Sequence, residues 1–169
     1  MNPPGKPIAH DAVTERDLYV LELPSADAVH LSVPVTRFGC FLVMNATSVG
    51  DAVIRVLARR LLAAGAVYFA TWGPDCQRVH DLIDAERPTN EPGEHDVIMT
   101  TWHERVDLDR AIWESVLVAM PAGRYAERCD AVVAVVVDNP TAASQIRRTY
   151  GDLEGLCRDA ERLDEEDAG

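Results

Sequence analysis

Four short blocks of the chain are apolar at nearly every position: Leu18–Leu23, Phe38–Met44, Ala66–Thr71 and Ala131–Val137. Runs of this length, rich in Val, Phe and Tyr, predict strands covered on both faces. A weaker fifth block, Val97–Thr101, reads the same way. Between the blocks the apolar spacing changes to that of a helix. Val53, Ile54, Val56, Leu57, Leu61 and Leu62 follow Ser48, which stands three residues before Asp51 like the start of a capping box, and Gly65 closes the helix. Pro74 suits the first position of a second helix that turns Val79, Leu82 and Ile83 inward. Asp107 starts a third through Ile112, Val116 and Met120, broken at Pro121. Asn139, followed by Pro140, caps a fourth after the last strand. Residues 24–37 are ambiguous: Ser25 suits a short helix cap, whereas Val33, Pro34, Val35 and Thr36 favour extended chain.

Buried strands alternating with amphipathic helices must run parallel, joined by right-handed crossovers. The expectation is therefore an α/β fold: an open, mostly parallel, doubly wound sheet, flavodoxin- or Rossmann-like, of about five strands. The first strand, which no obvious helix joins to the second, is the candidate for an antiparallel edge. One domain is expected over residues 17–151. A Pro-rich flexible arm over 1–16 precedes it, and an acidic terminal helix and tail over 152–169 follow it.

A length of 169 residues with 47% hydrophobic side chains supports one core without disulfides or metal. The formal net charge of −12 argues against nucleic-acid backbones and anionic membranes as partners. That charge is uneven. Residues 152–169 hold eight acids and two arginines, a net of −6, so half the excess lies beyond the expected sheet. No run approaches the roughly 20 apolar residues of a membrane helix, and the N-terminal residues lack the apolar stretch of a secretory signal. Cys40, Cys76, Cys129 and Cys157 form no CxxC pair, which fits reduced thiols in a cytoplasm. Lys6 is the only lysine, so no P-loop is available.

Ligands of open α/β sheets bind beyond the carboxyl ends of the strands. That rule selects four segments: 45–48, 72–76, 102–105 and 138–141. Trp72 and Trp102 each follow a threonine at an expected strand end, and both offer a flat wall for a ligand; the simpler reading is that they shield strand ends from water. Asp75, Asp138 and Asn139 complete the candidate binding groups, although an Asp-Asn pair there more often caps a helix. Cys76 falls in the first turn of the second helix, where amides favour thiolate. With His103, and Glu104 or Asp75 to orient the ring, it is a candidate nucleophile for a hydrolase or transferase. The neighbouring Asp75 and the lack of a nucleophile elbow count against this, and a free cysteine is most often packing. Cys76 and His80, four residues apart, with His103, are a minor alternative as zinc ligands; otherwise no cofactor is expected.

The stretch Trp72-Gly73-Pro74-Asp75-Cys76-Gln77-Arg78-Val79-His80-Asp81, together with Met99-Thr100-Thr101-Trp102-His103-Glu104, resembles an uncharacterised bacterial α/β domain family with WGxDCxRxHD and MTTWH signatures. The resemblance covers about residues 50–137. It implies that these segments act as one unit, and it brings no activity. The leading expectation is a soluble binding or interaction module, with a crevice between Trp72 and Trp102 for a small molecule or a protein partner. The alternatives are the Cys76/His103 enzyme and the zinc site. A homodimer is a further expectation if the Trp113 helix leaves apolar area exposed.

Overall fold

The computed structural model describes residues 5–88 and 97–158. Its elements in chain order are β1 (Ala9–Asp11), β2 (Arg16–Leu23), β3 (Phe38–Val43), α1 (Asp51–Ala64), β4 (Ala66–Trp72), α2 (Cys76–Glu86), β5 (Met99–His103), α3 (Leu108–Trp113), β6 (Ala131–Val137) and α4 (Pro140–Tyr150). They form an α/β fold around one six-stranded sheet in the order β1-β2-β6-β3-β4-β5. The five strands β2, β6, β3, β4 and β5 are parallel, and β1 pairs antiparallel with β2.

The apolar blocks become strands because only a site covered on both faces suits them. Every residue of β3 and β6 is buried. On one face, Ile54, Leu57 and Leu61 of α1 and Val79, Leu82 and Ile83 of α2 pack against Phe38, Cys40, Leu42, Phe69 and Val133. On the other face, Ile112 of α3 and Ile146 and Tyr150 of α4 pack against Phe41, Val43, Tyr68, Ala134 and Val136. Gly65 ends α1 with φ 107, and its amide bonds back to Leu62 at 3.0 Å. Asn139 caps α4 by accepting from the Ala142 amide at 3.0 Å, with Pro140 in the first turn.

The chain differs from the expectation in several places. The antiparallel edge is β1, within the stretch expected as a loose arm, and not the strand at Leu18, which is parallel to β6 in full register. Asp11 draws the chain into a turn by accepting from the Thr14 amide at 2.9 Å, and this folds β1 back onto β2. Residues 24–37 form neither helix nor strand; Leu31, Val33 and Val35 still lie against the core. The third helix is α-helical only to Trp113 and continues as a π-helical turn over Glu114–Val118. β5 begins two residues later than its apolar block and ends at His103, because its ladder with β4 runs as far as Trp72↔His103. Residues 153–158 are helical, and the rest of the expected acidic tail lies outside the described residues. No helix among the described residues is long and apolar enough to cross a membrane.

Candidate functional site

The carboxyl ends of β3, β4 and β5 are tied together by the residues that the sequence singled out. Gly73 takes φ 117, and a Cβ there would overlap the backbone carbonyl of Met44. This close approach lets the Met44 amide bond the Trp72 carbonyl at 3.1 Å and the Ala46 amide bond the Pro74 carbonyl at 3.0 Å. Asp75 follows with φ 65 and enters α2 in the left-handed region.

Arg78, one turn into α2, reaches back across this junction. Its Nε donates to Asp75 Oδ2 at 2.6 Å, and its Nη1 to Asp51 Oδ1 at 2.5 Å. Its Nη2 donates to the carbonyls of Ala46 and Val49, at 2.5 and 3.1 Å. The two carboxylates hold the guanidinium above the ordinary arginine pKa, Asp75 contributing most. One side chain thus fixes the loop after β3, the start of α1 and the start of α2. The loop's outer side carries exposed Asn45, Thr47 and Ser48, and Asn45 Oδ1 accepts from both the amide and the hydroxyl of Thr47.

Side chains of β5 divide between the two faces of the sheet. Thr100 and Trp102 face α2. Thr100 Oγ1 bonds His80 Nε2 at 3.0 Å and also Asp84. The His80 ring lies 4.6 Å from the Trp102 ring, and Trp102 remains 45% exposed. Thr101 and His103 face α3. His103 Nδ1 meets Glu114 Oε2 at 2.7 Å, and Arg110 Nε meets Glu114 Oε1 at 2.9 Å. His103 Nε2 lies 3.4 Å from Thr101 Oγ1, which in turn lies 3.1 Å from the Tyr68 hydroxyl. Burial holds the imidazole below its ordinary pKa, against the opposing pull of Glu114. In a neutral ring that gives its Nδ1–H to Glu114, Nε2 is the acceptor and lies on the Thr101 side.

This arrangement separates residues that the sequence grouped. Cys76 is 1% exposed, and burial raises its thiol pKa despite the backbone amide of His103 beside it. The His103 ring belongs to Glu114 and Thr101, and Glu104 is exposed in the following turn. Cys76, His80 and His103 do not converge as zinc ligands; among the described residues no three His, Cys, Asp or Glu side chains are grouped to hold a metal ion. Trp72 donates its indole N–H to the Val106 carbonyl at 3.0 Å on the α3 face, opposite to Trp102. The two indoles therefore do not form two walls of one crevice. Asn139 is engaged as a cap, whereas Asp138 is exposed at φ 48.

Sequence reasoning missed Glu114 as the partner of His103. Arg110 stands four residues before Glu114, the spacing of a helix-surface pair, and no local pattern points from Glu114 to His103. Arg147 Nη2 of α4 pairs with Glu22 Oε1 of β2 at 2.7 Å.

Residues 18–153 match the family model of a domain of unknown function, DUF7684, and the chain belongs to that family. No curated protein and no solved structure matches the chain.

Proposed function

Family membership supplies no activity, and from the geometry we propose that this chain is a binding module for a nucleotide-sized polar ligand, held across the carboxyl ends of β3 and β6. The observation that carries the reading is the opposite departure of two adjacent connections. β3 leads into α1 on one face, and β6 leads into α4 on the other. Counted from β3, the parallel strands β5, β4, β3 and β6 lie in the order 3-2-1-4, with β2 beyond β6; this is a Rossmann-like order that reverses beside its first strand. Ligands of open sheets enter at such a reversal. On the β3 side the rim is held in place by Arg78 and presents Asn45, Thr47 and Ser48 outward, and on the β6 side Asp138 is exposed. Hydroxyls and carboxylates of this kind suit the diol of a sugar, and a rim fixed before binding costs little ordering entropy.

A Cys76-dependent enzyme with His103 and Glu104 has less support. Its thiol is buried with a raised pKa, and its presumed base is turned to Glu114. A cytoplasmic location is proposed because the four cysteines form no CxxC pair and no disulfide-framework spacing. The small-molecule reading is favoured over nucleic acid or membrane by the net charge of −12.

Chemical-shift mapping of the ¹⁵N-labelled full chain with adenosine monophosphate and NAD tests the reading. Saturable shifts confined to residues 45–51 and 138–140, lost in Asp138→Ala and Thr47→Val, are expected. Nucleotides that leave this rim unperturbed would overturn it.

A further inference from the structure

We propose a second binding site, for a small apolar carboxylate that carries an amide group, in a cavity at the open edge of β2. The cavity measures about 370 Å³ and includes none of the strand-end residues of the reading above. Its size falls within the range of small-molecule pockets.

The backbone supplies the first part of the argument. β1 pairs with β2 only as far as Leu18. The Asp17 amide bonds the Asp130 carbonyl, and the Leu23 carbonyl bonds the Asp138 amide, both at 2.9 Å, so alternate residues from Asp17 to Leu23 turn their peptide groups toward β6. The same alternation turns the peptide group of Val20 outward, at the cavity wall. No described residue bonds it there. An unpaired N–H and C=O on a sheet edge form a template for an amide.

Charge supplies the second part. Lys6, the chain's only lysine, and Arg147 both line this cavity in a protein of net charge −12. Lys6 has no ion-pair partner among the described residues. Arg147 is steadied by Glu22 through one nitrogen, and the remainder of its fork is able to take a second carboxylate. Glu22 beside it weighs against a dianion such as phosphate and favours a monoanion. Ile8, Leu21 and Pro34 give apolar walls for the body of the ligand. An N-acyl amino acid and the carboxyl end of a short peptide share this chemistry.

The test is titration of the ¹⁵N-labelled full chain with N-acetyl-L-leucine, its uncharged amide N-acetyl-L-leucinamide, and the tripeptide alanyl-alanyl-leucine. The acid is expected to shift Val20, Leu21 and Arg147 saturably and to bind about tenfold or more tighter than the amide, the factor of one charge-assisted hydrogen bond. Arg147→Met, with an otherwise unchanged spectrum, brings the acid down to the level of the amide, and Lys6→Gln weakens it in the same direction. Tighter binding of the tripeptide identifies a peptide end as the source, and tighter binding of the acetylated acid a free metabolite. Equal binding of acid and amide, full affinity in Arg147→Met, or no saturable shift would overturn the proposal. Shifts appearing only at 45–51 and 138–140 would also overturn it while leaving the strand-end reading standing.

Discussion

Trp102 lies level with Thr71 in the ladder between β4 and β5, and not with Trp72. Each tryptophan follows a threonine, but the two Thr-Trp pairs are offset by one residue. Side chains of a strand alternate between faces, so an offset of one sends the two indoles to opposite sides. Trp72 packs under Val106 near α3, and Trp102 lies against His80 of α2. The signature residues thereby serve both layers of the fold, holding strand ends to helices.

Arg78→Met is expected to lower stability by about 2 kcal/mol, because two carboxylates and two carbonyls lose their shared donor at a partly exposed site. Arg78→Lys recovers only part of this, since a single ammonium does not span the fork. Urea unfolding midpoints measure both; an unchanged midpoint in Arg78→Met would show that the loop is held by other means.

Gly73→Ala is expected to destabilise by about 2 kcal/mol or more, since the new Cβ meets the Met44 carbonyl at a left-handed φ. Gly50→Ala, where no atom lies within 4 Å of the added carbon, serves as the control and changes stability little. Similar losses in the two variants would refute the close approach of β3 and β4 at Gly73.

His103 gives stability a pH dependence. Its folded pKa lies below the unfolded value of about 6.5 because burial disfavours the cation. Between those two values the unfolded chain binds more protons, so this contribution is full above about pH 6.5 and is lost as pH falls toward the folded pKa. Glu114→Gln removes the pull that opposes burial, and the His103 pKa should fall further. An NMR titration of the imidazole checks this, and a pKa that rises in Glu114→Gln would contradict the pairing.

Thiol labelling of the native chain at neutral pH should be fast at Cys157 alone among the four cysteines. Cys40, Cys76 and Cys129 are buried, and burial raises the pKa of each of these thiols. The three are expected to label only on unfolding, at rates that a chelator does not change. Rapid native labelling of Cys76 would revive the nucleophile reading.

The apolar blocks and helical periodicities identified five of the six strands and four helices, though not that the strand at Leu18 runs parallel, because burial on both faces leaves a local trace at every residue of β3 and β6 and at all but the last of β4. The missed strand, β1, has three residues, and its single fully buried position is an aspartate that organises the next turn. Such a strand carries no hydrophobic pattern to read. The end of β5 was missed for a related reason: Trp102 and His103 look like loop residues until the ladder to β4 extends through them.

Sequence alone determined which stretches form the sheet, which cover it, and which residues follow the carboxyl ends of the strands. Those are consequences of local spacing and of the handedness of parallel crossovers. The tertiary structure decided the register. A shift of one residue between β4 and β5 sets which of Trp72, Trp102 and His103 share a face, and no local pattern fixes that shift in an edge strand with exposed positions on both sides. It likewise decided that Glu114, eleven residues beyond His103, holds the imidazole, and that the edge of β2 stays open beyond Leu18 with Lys6 and Arg147 beside it. These relations join residues far apart in the chain, and they exist only once the sheet has formed.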